Sequence, residues 1–383
     1  MVATILHTES SVGWGGQEIR VYSELVHLRE RGYRMLLACH PQSELAKRAE
    51  RAGLEVWCLP FRRSIDPRLT WQIHRLLTRE RVELVNTHSS VDSWVASPAA
   101  RLIGVPVLRT RHLAGAVPRN PLSTQVYRRL CDRVVTTGEF ARRRLVAETG
   151  VPPEKVVVIP TGIDMAAFDP DQMRGDGVRA EWGIAPGTPL VGVVAVLRRR
   201  KGHAVLVEAC LELRGAFPGL HVVLVGDGPV RGWIAERIRD LGLEGTVRLV
   251  GHRRDIPDVL AALDVFVLPS IEPEGVPQSV VQALAMGRPV VASDVEGLTE
   301  VLRDGETGLL VPPGDPAALA AAIASLLADP GRGTALGNAG RQLVKKEFTV
   351  EAMLGRLEGL YAQMLTRHRA NSRSVVPSSP PGS

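Results

Sequence analysis

Long apolar runs are missing from this chain of 383 residues, and without about 18 uninterrupted apolar residues no transmembrane helix is expected. The opening Met1-Val2-Ala3-Thr4-Ile5-Leu6-His7 has neither a positive n-region nor a long apolar h-region, so it reads as a first buried strand rather than a secretory signal. A cytoplasmic location is expected, with peripheral contact at the inner face of the cytoplasmic membrane. Aromatic residues amount to 4%, too few for a base-stacking platform, which argues against a nucleic-acid partner. Cysteine is scarce as well. Cys39, Cys58, Cys131 and Cys210 lie far apart and form no C-x-x-C pair, so buried, reduced thiols are expected and a zinc site is not.

What is present describes an ordinary globular chain, 45% hydrophobic and 23% charged, long enough for two domains. A net charge of +6 favours anionic partners. Short apolar runs at 4–7, 35–39, 56–59, 84–87, 107–110, 134–137 and 156–159 alternate with helix-period stretches such as 18–31, 69–80 and 140–148. After a stretch rich in Asp, Gly and Pro the alternation restarts with runs at 190–196, 222–225, 247–250, 265–268, 290–292 and 309–311. Strand–helix alternation means parallel sheets covered on both faces, hence an α/β chain with two doubly wound, Rossmann-like domains. The expected division is 1–170, a linker 171–187 with a short polar helix near 178–182, a second domain 188–349, a helix 350–367 packing back on the first domain, and a disordered tail 368–383. Ligands of such folds bind beyond the carboxyl ends of the strands, here in a cleft between the domains.

Two loops draw attention. Gly13-Trp14-Gly15-Gly16-Gln17-Glu18 joins the first strand to the first helix, where glycines permit positive φ and close approach of amides to a phosphate. Further on, Pro269-Ser270-Ile271-Glu272-Pro273-Glu274-Gly275-Val276-Pro277 leaves a strand and enters a helix, which continues to Met286-Gly287-Arg288-Pro289 and the next strand. Glu274 is expected at that helix's N-terminus, with Gln282 a little over two turns on and projecting from roughly the same side.

With Glu274-Gly275-Val276-Pro277 followed by Ala283-Leu284-Ala285-Met286-Gly287-Arg288-Pro289-Val290-Val291-Ala292-Ser293, the chain resembles the large retaining glycosyltransferase family four. The likeness extends over roughly residues 4–365 and includes Gly15-Gly16-Gln17-Glu18, Lys201-Gly202 and Gly226-Asp227-Gly228-Pro229. It implies the GT-B architecture, two Rossmann-like domains facing each other across a cleft. It also implies transfer of a sugar from a nucleotide-diphosphate sugar to a glycan or lipid-linked acceptor, as in lipopolysaccharide or other envelope-glycan synthesis. By resemblance Glu274 holds donor-sugar hydroxyls, the amides of Gly275 and Val276 help position sugar and diphosphate, and Lys201 neutralises the diphosphate. Gly15 and Gly16 approach the same group, and His112 contacts the sugar near the reacting centre. His88 is an acceptor-side candidate with a structural role as its alternative.

Two positions depart from the family pattern. Gln282 stands where a ribose-binding Glu is usual and loses the charge-assisted grip on two hydroxyls. Val196 replaces the usual diphosphate arginine, for which Arg198, two residues along on the same face, is the candidate substitute. No metal-binding Asp-x-Asp cluster and no cofactor are expected anywhere in the chain, so cations and amides are left to answer the leaving diphosphate in place of Mg²⁺. The family implies front-face attack, and no protein nucleophile is nominated. Residues 111–146 hold eight arginines, read either as a solvated face or as a dock for anionic membrane. A nucleotide-sugar epimerase and a non-catalytic GT-B scaffold are the alternatives.

Overall fold

The computed structural model describes residues 3–112, 115–117 and 124–374, without the side chains of 371–374. The chain forms two compact units, one running to Gly162 and resumed at Glu351, the other Ile163–Val350.

The first unit is a sheet of seven parallel strands in the order β3-β2-β1-β4-β5-β6-β7. These are β1 (Thr4–Glu9), β2 (Arg34–Cys39), β3 (Glu55–Cys58), β4 (Leu84–Thr87), β5 (Val107–Arg111), β6 (Arg133–Thr136) and β7 (Val156–Val158). Every residue of β1 is buried, as expected of a central strand covered on both faces. Strand order reverses between β1 and β4, so the ends of these two strands flank the switch point where such sheets bind ligands. The C-terminal helix Val350–Ser374 completes this unit through the fully buried Tyr361 and an ion pair from Glu358 to Arg31 at 2.5 Å. It runs past residue 368, where a disordered tail was expected to begin, and Arg369 pairs with Glu83 at 2.7 Å. Residues 375–383 of that tail lie outside the described part.

The second unit repeats the plan with six parallel strands, β10-β9-β8-β11-β12-β13. They are β8 (Leu190–Val194), β9 (His221–Val225), β10 (Val247–Gly251), β11 (Val265–Leu268), β12 (Val290–Ser293) and β13 (Leu309–Val311). The expected linker is part of this unit. Its helix Gly175–Glu181 buries Val178, Trp182 follows into the same core, and a Cβ on Gly175 would lie 2.4 Å from the Ala262 backbone. Arg179 fixes the contact by donating to the Ala262 carbonyl at 2.8 Å and pairing with Asp264 at 2.9 Å.

Three helices escape the apolar pattern: Glu44–Arg51, Ser90–Leu102 and Pro330–Glu347. The last contains four glycines, which normally disfavour a helix. Packing explains two of them. A Cβ on Gly337 would meet the Gly287 carbonyl at 2.1 Å, and one on Gly340 would meet Leu284 at 2.5 Å. The helix gives up propensity so that it can lie directly on the Met286-Gly287-Arg288 turn. All four cysteines are free; Cys39, Cys131 and Cys210 are buried, with thiols pushed up to about 12 by burial, while Cys58 is exposed. No helix among the described residues is long and apolar enough to cross a membrane.

Candidate active site

In the second unit the loops after β8 and β11 meet beside its switch point. The β8 loop closes in a single 3-10 turn, Arg199–Lys201, and Gly202 then takes a left-handed conformation (φ 66°) to start the helix His203–Ala216. Only glycine fits there, since a Cβ would fall 1.7 Å from the Pro269 carbonyl. The Arg200 carbonyl accepts from the Ile271 amide at 2.9 Å, which ties the two loops together.

This clamp brings Lys201 to Glu274. Lys201 Nζ lies 2.8 Å from Glu274 Oε1, Ser270 Oγ donates to the same oxygen at 2.7 Å, and an Arg200 Nη1 lies 3.2 Å from Oε2. Burial pushes the Lys201 amine down, against the opposing pull of Glu274. Glu274 is 5% exposed and Arg198 is exposed. Val196 and Arg198 both face outward around buried Leu197, as the two-residue spacing implied, although β8 itself has ended at Val194.

Glu274 is not at a helix N-terminus. The helix spans Gln278–Ala285, so the carboxylate sits in the preceding loop and the spacing to half-buried Gln282 is not helical. The capping alternative falls with it, because the carboxylate is spent on Lys201, Arg200 and Ser270. Its backbone is held by Glu296, whose carbonyl accepts from the Glu274 amide at 2.9 Å. The neighbouring amides of Gly275 and Val276 make no backbone hydrogen bond among the described residues and remain available as donors. Much of the downstream motif is architectural: Arg288 donates to the carbonyls of Leu263 (3.1 Å) and Met286 (3.3 Å). The sequence does contain one Asp-x-Asp, Asp169-Pro170-Asp171, but its first carboxylate is paired with Arg341 at 3.0 Å.

In the first unit the loop after β1 is organised by carboxylates. Gly15 precedes the helix Gly16–Glu30 with an ordinary extended backbone (φ −148°), and neither Gly15 nor Gly16 has positive φ. The expected need for left-handed glycines is therefore not met. The Gly15 amide donates to Glu18 at 2.8 Å, and the Ser11 amide to buried Glu9 at 2.8 Å. A Cβ on Gly16 would meet nothing within 4 Å, so the fold itself does not demand glycine there. Glu9 also takes hydrogen bonds from Gln17 and Ser89, and burial raises its pKa. Asp92 accepts from the His88 amide (2.9 Å), the Ser89 amide (2.8 Å) and Thr8 Oγ1 (2.7 Å) while burial raises its pKa to about 7.

His112, just past β5, is half-buried with its Nε2 2.9 Å from His88 Nδ1. His88 is 2% exposed, and its Nε2 in turn lies 2.9 Å from His7 Nδ1. His88 therefore offers no surface to an acceptor; it is an inner residue behind His112. Sequence reading missed His7, Arg200, Ser270 and Tyr361. A histidine inside the apolar run of β1 is the one signal that was legible, since a strand centre tolerates it only with partners. Among the described residues, His7, Glu24 and His88 place ligand-type atoms within 4.8 Å of one another, as a metal would require. The guanidinium of Arg20, 2.7 Å from Glu24 and equally buried, already supplies a cation to that carboxylate and would repel a second one.

The group 1 glycosyl transferase model matches residues 188–329, and the Glycosyltransferase Family 4 model matches residues 14–167. The chain is 31% identical to the 2-deoxystreptamine glucosyltransferase of Streptomyces kanamyceticus over 77% of its own length and 81% of that protein. It is 30% identical to an Escherichia coli UDP-Gal:alpha-D-GlcNAc-diphosphoundecaprenol alpha-1,3-galactosyltransferase over 62% and 65%. Among solved structures, a glycosyltransferase of Rickettsia africae superposes with a TM-score of 0.87 at 22% identity over 95% of this chain and 99% of that one. The Anabaena protein HepE in complex with UDP-glucose gives 0.80 at 21% over 94% and 99%. Two parallel-sheet α/β units with these neighbours are the GT-B fold, and with these relatives the chain belongs to glycosyltransferase family 4 and is a transferase of sugars.

Proposed function

We propose that this enzyme moves a sugar from a nucleotide-diphosphate sugar to a glycan or lipid-linked acceptor with retention of anomeric configuration, in lipopolysaccharide or other envelope-glycan assembly. The observation that carries the reading is the Lys201–Glu274–Ser270–Arg200 cluster at the ends of β8 and β11. Breaking a sugar–phosphate bond loads negative charge on the diphosphate, and cations fixed in advance stabilise it without reorganisation. Lys201, with donors left beyond its bond to Glu274, and Arg198, whose side chain has no partner among the described residues, serve that charge. The free amides of Gly275 and Val276 add two more donors. In this reading no divalent metal is needed.

Glu274 is then a receptor for sugar hydroxyls. Held by two cations and a hydroxyl, its carboxylate is a weak nucleophile, which supports front-face attack with the leaving phosphate taking the acceptor's proton. His112 is the first unit's candidate for a sugar contact. The envelope role draws on relatives such as the diphosphoundecaprenol galactosyltransferase. Incubating the protein with a panel of radiolabelled nucleotide sugars and diphosphoundecaprenol-linked acceptor tests this. Transfer with the α-anomer retained supports it; epimerisation of the donor, or binding without turnover, assigns one of the two alternatives.

Membrane contact has support in another place than residues 111–146. In that stretch Arg142 and Arg144 are committed to Glu139 and Glu148, and 113–114 and 118–123 lie outside the described residues. Elsewhere in the first unit Ile65, Trp71 and Leu102 are exposed by 70%, 58% and 74% around one groove. The exposed arginines Arg62, Arg63, Arg68, Arg75 and Arg79 lie along the same segment. Apolar side chains among cations suit an anionic bilayer surface. Co-sedimentation with phosphatidylglycerol vesicles, lost on Trp71→Ala and absent with phosphatidylcholine, is the expected result; equal sedimentation of the variant would refute this face.

A further inference from the structure

A continuous buried hydrogen-bonded chain runs from the C-terminal helix to His112. Tyr361 Oη lies 3.2 Å from His7 Nε2, His7 Nδ1 lies 2.9 Å from His88 Nε2, and His88 Nδ1 lies 2.9 Å from His112 Nε2. Burial lowers the pKa of all three imidazoles, so each is neutral near pH 7 and carries one ring proton. A neutral imidazole that accepts at one nitrogen must donate at the other, so a single choice at the Tyr361 end propagates through all three rings.

Two observations make that choice. Asn86 Oδ1 accepts from Thr110 Oγ1 at 2.9 Å, which orients its Nδ2 to donate to Tyr361 Oη at 3.3 Å. The phenol, already accepting, then has its own proton free for His7 Nε2. Independently, buried Glu24 Oε2 has no hydrogen-bond partner and lies 3.9 Å from His7 Nδ1. Burial raises the Glu24 pKa and the Arg20 guanidinium opposes it; as the carboxylate of that ion pair Glu24 only accepts, which favours a proton on Nδ1 and disfavours a lone pair. The opposite polarity would make the phenol accept from both Asn86 and His7, leave its own proton without an acceptor among the described residues, and impose that unfavourable pairing.

We infer that Tyr361, His7 and His88 are positioning residues that hold His112 as the Nδ1–H tautomer, so that His112 meets its ligand as a hydrogen-bond donor and cannot act as a base. With Nε2 occupied by His88, Nδ1 is the one ring nitrogen of His112 without a partner among the described residues. Under the proposed function, on which this step rests, its N–H is aimed at a sugar oxygen, and acceptor deprotonation is left to the departing phosphate. Such a donor is fixed before substrate arrives, which is what makes it effective.

The test is a long-range proton–nitrogen NMR spectrum of the full chain labelled with nitrogen-15 histidine, the His112 signals assigned by their loss in His112→Gln. A protonated Nδ1 and bare Nε2 on His112 are expected. The reverse pattern, or one equivalent of tightly bound zinc in the purified protein, overturns the inference. In Tyr361→Phe the His112 signals should shift toward the Nε2–H form and kcat should fall about tenfold with KM for the donor little changed. An unaltered His112 signature in that variant also counts against the chain. The two readings fail separately: full transfer activity in His112→Gln removes the sugar contact even if the tautomer is as inferred, whereas an Nε2–H His112 in an active enzyme removes only the relay.

Discussion

The two units share one plan, a parallel sheet with a switch point beside its first strand, yet arm it with opposite chemistry. Beyond β8 and β11 the groups are charged, and Lys201, Arg200 and Glu274 are joined by two ion pairs. Beyond β1, β4 and β5 they are buried imidazoles, hydroxyls and carboxylates, with the histidines kept neutral by burial. The difference shows that one topology carries either fixed charge or oriented hydrogen bonds at its strand ends, and that the loops decide which.

The sharpest way to break that contrast is to remove charge from the second unit. Glu274→Ala should lower kcat about a thousandfold, because it removes the proposed sugar receptor and leaves Lys201 and Arg200 uncompensated. Lys201→Ala should cost about a hundredfold. Circular dichroism should show both variants folded, and near-full turnover in either would deny the charged cluster its role.

Glycines sharpen the comparison next. Gly202→Ala forces a side chain into a left-handed turn and onto the Pro269 carbonyl, so it should destabilise the protein by about 2–4 kcal/mol in urea titrations. Gly16→Ala meets open space at the helix start and should change stability by less than about 0.5 kcal/mol. If a donor phosphate approaches Gly16, that same substitution should still raise KM for the donor; unchanged kinetics would remove Gly16 from the site.

Acidity probes the neutral cluster. Asp92, raised by burial from 3.8 to about 7, takes up its proton in the folded protein before the unfolded chain does. It therefore adds stability as pH falls from about 7 to 3.8. His7, lowered to about 3, works in the opposite direction, since the unfolded chain takes up its proton near 6.5 while the folded one resists. Asp92→Asn deletes the first contribution, so the gap between variant and wild type should widen by about 1.4 kcal/mol per pH unit as pH falls from 7 toward 4. A constant gap would mean that Asp92 is already ionised in the folded state. The smallest expected change in ligand binding belongs to Gln282→Glu. It should tighten nucleotide binding by about threefold if the side chain faces ribose, a gain of one charge-assisted hydrogen bond at a half-buried position. Isothermal titration with the donor decides it, and an unchanged or weaker Kd moves Gln282 out of the donor site.

Legibility followed the length scale of the interactions. All thirteen strands of the described residues could be read from their apolar runs, because runs of three to seven residues carry that signal locally. The helix Pro330–Glu347 could not, because its glycines are explained only by the carbonyl of Gly287 and the side chain of Leu284 lying against them. The segment around Gly175 read as a linker for the same reason. At the site, Lys201 and Glu274 were legible from their motifs, but their 2.8 Å bond to each other was not, nor was the help of Ser270 and Arg200.

Sequence alone determined the fold class, the family and the identity of the charged residues, since periodicity and motif spacing are local properties of the chain. Tertiary structure alone decided that residues 171–187 belong to the second unit's body and that Glu274 stands free of its helix. It also decided that His88 lies behind His112 in a line reaching Tyr361, 273 residues away along the chain from His88 by number (361 − 88). Hydrogen-bond direction passes between groups that only folding brings within 3.2 Å, and no spacing rule in one dimension records it.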